Sequence, residues 1–333
     1  MTTSKENINI QKLVVAVGLT LFVIKMLAWY ITGSVAILTD ALESTVNVVA
    51  SFIGLYSLNL SAKPRDMEHP YGHGKVEFIS AGIEGTLISV AGLYIIYEAV
   101  KNLRDPSEIG QLDYGILLVA GAAAVNFIVG YLAVKRGKKN NSLALVASGK
   151  HLQSDTYTTI GIIAGLILLK LTGWLWVDSA VALIFAFVII FTGYKILRSS
   201  VAGIMDEADK ELIGEVVSYL NEHREVNWVD IHNLRIIKYG SVLHLDFHLT
   251  LPWYFNLHEG HREMDKIDRL IKERFGESVE MFVHTDGCMD FSCKICQKTD
   301  CQVRKAGFEK KIEWTVENIS SNEKHSVDGN TLT

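Results

Sequence analysis

The sequence predicts a membrane bundle of six α-helices followed by a small α+β domain. Three observations carry that prediction. Apolar runs of about 20 residues, the length that crosses a bilayer, recur through the first two thirds of the chain and then stop. Past Arg198, short amphipathic and alternating segments take over. The 333 residues are 49% hydrophobic, too many for an ordinary soluble chain and too few for one wholly embedded in lipid. The expected division is a transmembrane domain over 1–204, an α+β domain over 205–290, and a cysteine-bearing extension with a disordered tail over 291–333.

The apolar runs read as spans at Leu13–Thr32, Ser34–Leu58, Glu77–Val100, Leu112–Val134, Leu143–Leu171 and Trp174–Leu197. The start, MTTSKENINIQK, has no signal-peptide cleavage pattern, so the first run is read as a retained span. The gaps alternate in charge. SAKPRDMEHPYGHGK is basic, and so is the gap holding Lys135, Arg136, Lys138 and Lys139. The gaps on the other side are Gly33, KNLRDPSEIGQ and Thr172-Gly173, which are poorer in Lys and Arg. By the positive-inside rule, both termini and the basic loops face the cytoplasm, in the cell (inner) membrane.

The soluble part begins with a helical pattern over Asp206–Glu222, with Leu212, Ile213, Val216, Val217 and Leu220 at helical spacing. Val229–Ile237 and Val242–Leu249 alternate as strands, joined through Lys238-Tyr239-Gly240-Ser241, a hairpin signal. Asn256–Phe275 is again helical, with Met264, Ile267, Leu270 and Ile271 on one stripe, and Val279–His284 reads as a last strand. The order αββαβ fits helices packed on one sheet face. That leaves His244, Asp246 and His248 on a face expected to be exposed. A three-residue loop Tyr239–Ser241 sets His232 across from His248 on that face, whereas a two-residue loop does not. The tail past Cys301 is polar, Trp314 being its one notable apolar residue.

Several function classes fall away. The net charge is −5 and no arginine-rich stripe occurs, so nucleic acid is not the partner. No Ser/His/Asp, Walker or Rossmann constellation points to an enzyme. All four cysteines lie in Cys288-x4-Cys293-x2-Cys296-x4-Cys301, which is no disulfide framework of a secreted fold. As cytoplasmic thiols they can form a thiolate metal site, and a redox pair at Cys293–Cys296 lacks a thioredoxin-like setting.

The spans themselves carry the chemistry. Asp40, Glu43 and Asn47 share one face of the second span, and His151 and Asp155 share one face of the fifth. Short ionisable side chains inside a span are costly and mark ion or substrate paths. Glu43 and Asn47 facing His151 and Asp155 would offer four N/O ligands, the count of a tetrahedral divalent site such as zinc. The alternative is a polar hydrogen-bond network between helices with no metal. Asp66, His69 and His73, in the loop after the second span, offer a second small metal site; alternatively Pro70, Gly72 and Gly74 make a rigid turn with surface histidines.

SVAILTDALES in the second span, HPYGHGKVEF after it, the HxxxD of His151–Asp155 and DEADKE at the start of the soluble part occur in order. Together they resemble the cation diffusion facilitators, over residues 10 to 290. The resemblance implies proton-coupled export of divalent metal by a homodimer whose soluble domain is ferredoxin-like and similar to metallochaperones. It implies a transport site at Glu43, Asn47, His151 and Asp155, and a less constant second site at Asp66, His69 and His73. It further implies a cytoplasmic-domain site at His232, His248, His261, His284 and Asp286, and a charge pair of Lys75 with Asp206 that links the membrane and soluble halves. The cysteine extension is no general feature of that family. Asn47 departs from the family's usual Asp, leaving Asp40 as a source of the missing charge. The expected cargo is Zn2+, also as a structural or regulatory ion, with two alternatives: a Mn2+- or Fe2+-selective exporter, or a transport-deficient membrane metal sensor.

Overall fold

The computed structural model describes residues 2–106, 110–139, 143–239 and 242–327. The chain forms two compact units, one of residues up to Asn59 together with Glu77–Val201, the other of Leu60–Val76 together with the residues from Ala202 on. The basic loop after the second span, expected with the membrane domain, thus groups with the soluble unit.

The first unit is built on six helices: α1 (Thr2–Thr32), α2 (Val35–Ser61), α3 (Val76–Arg104), α4 (Leu112–Lys139), α5 (Leu143–Thr172) and α6 (Trp176–Ile204). All six contain segments long and apolar enough to cross a membrane. Two of the short connections turn on glycine. Gly33 (φ +68°) and Gly173 (φ +69°) end α1 and α5 in the left-handed conformation, each donating its N–H to a carbonyl four residues back. Asp178 of α6 caps α2 from outside, accepting from Ser34 Oγ (2.5 Å) and from the Val35 and Ala36 backbone N–H groups (2.7 and 3.3 Å). Small residues bring helices close, as expected where lipid tails are as apolar as leucine. A Cβ on Gly130 of α4 would lie 2.8 Å from the Gly149 carbonyl of α5, and one on Gly85 of α3 would lie 2.9 Å from the Gly193 carbonyl of α6.

In the second unit, α7 (Lys210–Glu222) starts later than the expected Asp206. Asp206 takes φ +55° and cannot be helical; Asp209 caps α7 instead, accepting from the Glu211 and Leu212 N–H groups at 3.1 and 3.0 Å. Strands β1 (Asp230–Tyr239) and β2 (Val242–Leu251) pair antiparallel, α8 (Leu257–Phe275) follows behind an Asn256–Glu259 capping box, and β3 (Val279–Gly287) pairs parallel to β2. The α7 and α8 stripes, including Val216, Leu220, Ile267 and Ile271, bury against Ile231, Leu245, Phe247 and Leu249 of the sheet.

The hairpin register arises differently from expectation. Tyr239 pairs with Val242, the spacing of a two-residue turn whose residues Gly240 and Ser241 lie outside the described residues. His232 still faces His248, because β1 carries one extra residue between His232 and Arg235. Asn233 adopts φ +54° there, a conformation asparagine tolerates better than most residues. The bulge restores the one-residue offset that a longer loop was expected to supply.

The tail is not disordered through Val327. Trp314 and Ile319 bury in the core beside α7, and α9 (Val316–Ile319) packs against α7 and β1. Asn221 reads this segment from both sides, donating to the Trp314 carbonyl and accepting from its N–H, and Arg224 stacks 3.9 Å over the Trp314 ring. One tryptophan in a polar stretch is enough to anchor it.

Candidate metal sites

In the first unit, α2 and α5 meet through their polar residues. Asn47 Nδ2 donates to Asp155 Oδ2 at 3.2 Å, and His151 Nε2 stands 3.9 Å from the same oxygen. Asp155 is buried, while the His151 side chain is 54% exposed, so the pair runs from the helix packing toward an open side. Glu43 is largely enclosed and its Oε2 has no hydrogen-bond partner among the described residues. A buried carboxylate oxygen without a partner is costly and suits a site that receives a cation or a proton.

Asp40 is engaged at one oxygen, while its Oδ2 is buried with no hydrogen-bond partner among the described residues. Lys25 of α1 donates to its Oδ1 at 2.8 Å, both side chains being essentially sealed, and Thr159 of α5 donates to the same oxygen at 2.9 Å. Sequence reasoning missed Lys25, although a lone lysine within LTLFVIKMLAWYIT is itself a signal. It also passed over Asp178, the helix cap described above.

Asp66, His69 and His73 come together in the second unit, with one ligand atom of each within 4.8 Å of the others. Asp66 Oδ1 accepts from the Glu68 and His69 backbone N–H groups at 3.0 and 2.6 Å, so the carboxylate shapes the turn that carries both imidazoles. The His69 N–H holds the Asp66 carboxyl below the usual range, favouring the ionised form that ligates metal. Three further contacts stay inside this unit. Arg65 pairs with Glu280, Lys75 Nζ lies 2.8 Å from Asp206 Oδ2, and the Tyr71 ring stands edge-on to His244.

Across the sheet, His232, His248 and His284 form one row and Asp230, Thr250 and Asp286 the next. Asp286 gathers the imidazoles: its oxygens lie 3.5 Å from His232 Nε2, 3.3 Å from His248 Nδ1 and 3.6 Å from His284 Nε2. His232, His248 and Asp286 have ligand atoms within 4.8 Å of one another; His284 joins through Asp286 with its side chain mostly exposed. His261 is not brought to this group. It stands exposed on α8, which packs on the apolar sheet face, and its neighbour is Asp265 at 3.7 Å.

The polar sheet face, expected to be exposed, is covered in part: His248 is half-buried and Asp246 and His284 stay largely open. His232 and His244 are 2% and 5% exposed. Tyr71 and Tyr239 cover His244, and the tail covers His232. His325 donates its backbone N–H to Asp230 Oδ2 at 2.9 Å and sets Nδ1 2.6 Å from Asp230 Oδ1, while Lys324 Nζ lies 3.6 Å from Asp286. Burial pushes both His232 and His244 below the ordinary histidine value, keeping the imidazoles neutral and able to ligate.

The four thiols are free, Cys296 buried and the other three half-buried. The first of them, Cys288, follows directly on β3, two residues beyond Asp286.

Both units of the chain are similar to known proteins. Residues 12–205 match the cation efflux transmembrane domain, and residues 208–288 match the cytoplasmic domain of cation efflux proteins. An uncharacterized transporter of Synechocystis, sll1263, is 37% identical over 75% of this chain and 81% of its own length. The cation-efflux pump FieF of Shewanella oneidensis is 27% identical over 82% of this chain and 91% of its own. The manganese efflux system protein MneP of Bacillus subtilis is 28% identical over 86% and 98%.

Proposed function

The chain belongs to the cation diffusion facilitator family and is a divalent-cation efflux transporter, and from that premise we propose that it exports Zn(II) from the cytoplasm in exchange for protons, as a homodimer. Glu43, Asn47, His151 and Asp155 bind the cargo between α2 and α5. The contact of Asn47 with Asp155 is the observation that carries this reading, since it joins the two ligand-bearing helices at one point. Four N/O ligands with one imidazole suit zinc. A neutral imidazole binds metal and an imidazolium does not, so protonation of His151 on the far side releases the ion. Lys25 holds Asp40 out of the ligand set and balances part of the acidic charge.

A second reading, Mn(II) as cargo, is favoured by Asn47 itself. An amide in place of a carboxylate weakens the site for zinc, and an oxygen-rich set is more tolerant of manganese, the metal in the name of the relative MneP. In the second unit, metal at His232, His248 and Asp286 acts as a sensor or dimer clamp, with Asp66, His69 and His73 as an accessory site. Both termini lie on the cytoplasmic side of the cell membrane.

A competitive flux panel of Zn, Mn, Fe, Co and Cd on protein reconstituted in proteoliposomes, with internal pH followed in parallel, tests the reading. Zinc uptake with proton counterflow is expected, and His151→Ala or Asp155→Ala abolishes it while the dimer still assembles. Undiminished flux in either variant would sink the site assignment, and manganese outcompeting zinc would select the second reading.

A further inference from the structure

We propose that Cys288, Cys293, Cys296 and Cys301 form a tetrathiolate site for one zinc(II) ion, separate from the transport site and from the His232/His248/Asp286 group. The elements that hold them are in place. Cys288 is tied to the end of β2 by its N–H to the Leu251 carbonyl at 2.8 Å. Cys293 sits in a short 3-10 helix, Asp290–Lys294, and Cys296 packs with Val229 and Ile295 in a small core of its own. Arg304 fastens the loop, donating to the carbonyls of Cys293, Cys296, Lys298 and Ala306 at 2.8 to 3.2 Å.

Donors approach several of the sulfurs, although burial pushes the Cys288 thiol above its ordinary value. The Trp253 backbone N–H donates to Cys288, the Lys305 N–H approaches Cys293 Sγ at 3.4 Å, and the Tyr254 hydroxyl is hydrogen-bonded to Cys301. The half-buried Arg224 guanidinium interacts electrostatically with Cys296. Donors aimed at sulfur, and nearby cations, favour the deprotonated ligand and tune a bound metal. The stretch CKICQKTDCQVRK supplies Lys294, Lys298, Arg304 and Lys305 against the single Asp300. Those cations offset the two net negative charges of zinc bound by four thiolates.

Four sulfurs and no histidine select a thiophilic tetrahedral ion over the oxygen-seeking cations. The first three cysteines share the C-x4-C-x2-C spacing of plant-type iron–sulfur ligands, but there the fourth ligand is remote. Here it follows after four residues, closing a compact loop on one ion. The thiols do not, however, make a group with ligand atoms within 4.8 Å of one another, so binding draws them inward. Because Cys288 lies two residues beyond Asp286, the ion anchors the end of the strand that carries the sheet site.

Cobalt(II) added to the chelator-stripped full-length protein in detergent reads the site directly. Thiolate ligation gives an intense sulfur-to-cobalt charge-transfer absorption in the near ultraviolet, which N/O sites do not. The band is expected to saturate near one cobalt per chain and to vanish on zinc addition. It should persist in His232→Ala and disappear in the Cys293→Ser/Cys296→Ser variant. Zinc should also slow alkylation of all four cysteines in the wild-type chain by about tenfold or more, as expected when a thiolate becomes a ligand; this needs no variant to fold. Absence of the band, its survival in the double variant, or unprotected thiols would overturn the proposal. A chelator-resistant iron–sulfur chromophore in the purified protein would overturn it as well.

Discussion

Lys25 and Asp40 carry opposite charges in helices that pack in an apolar setting, and neither side chain reaches solvent. Removing one partner of such a pair leaves a bare buried charge, which typically costs about 3–5 kcal/mol, whereas removing both can be nearly neutral. Lys25→Met is therefore expected to lower the thermal unfolding temperature of the purified protein sharply, and Lys25→Met/Asp40→Asn to recover most of the loss. Equal stability of Lys25→Met and wild type would show that the pair is incidental. Asn47 poses a different residue-scale question. Its amide donates to Asp155, a contact that a carboxylate could make only when one partner is protonated. Asn47→Asp adds charge next to Asp155, so metal-free protein should become less stable while zinc binding tightens. Zinc flux is expected to rise several-fold relative to manganese flux, and an unchanged ratio would dissociate Asn47 from selectivity. The ligand pairs were legible because helical spacing puts i and i+4 on one face. The contribution of α1 through Lys25 was not, since spacing inside α2 and α5 says nothing of which neighbour packs against them.

At the scale of elements, β1 shows where periodicity stops being a guide. Apolar Ile231, Leu234 and Ile236 depart from strict alternation by one residue, and the bulge at Asn233 is what turns all three toward the core. Read as an uninterrupted strand, the same segment needs a longer hairpin loop to align His232 with His248. The break in alternation was a visible signal with two structural solutions, and only the pairing distinguishes them. The positive φ at position 233 makes a sharp prediction. Asn233→Gly should preserve the register, whereas Asn233→Val should cost about 1–3 kcal/mol through backbone strain. Isothermal titration with Cd(II) of Asn233→Val, made in the Cys293→Ser/Cys296→Ser background to remove thiolate binding, should show weakened binding at the sheet site relative to that background. Affinity equal to the wild type would mean that the bulge does not set the ligand row. The tail was misread for a related reason: its polar composition is that of disorder, but Trp314 and Ile319 suffice to bury it. With it come Lys324 and His325, whose contacts with Asp286 and Asp230 could not be inferred from so distant a position in the chain.

For the molecule as a whole, the six apolar helices and the small α+β fold were legible, because bilayer thickness and strand alternation each leave a period in the sequence, although helix ends such as those of α1, α3 and α6 extend several residues beyond the apolar runs. Assignment of the loop Leu60–Val76 was not, since it rests on ion pairs such as Arg65–Glu280 that join segments far apart in the chain. The second unit buries two imidazoles, and this sets its response to acid. Burial holds His232 and His244 below the usual histidine value near 6.5, so above that pH both are neutral whether the unit is folded or not. As pH falls through 6.5, the unfolded chain takes up protons that the folded unit refuses, and stability declines until the lowered folded values are passed. Protection factors in peptides of β1 and β2, with the pH dependence of intrinsic exchange divided out, should therefore fall between neutral pH and about pH 5.5 in metal-free protein. Zinc bound at His232 and His248 should oppose the change at the start of that window, because the ion must be displaced before the rings can protonate. In His232→Phe/His244→Phe protein the acid-induced loss of protection should be largely gone, since neither position can then bind a proton. An undiminished pH dependence in that variant would assign the acid response to other groups.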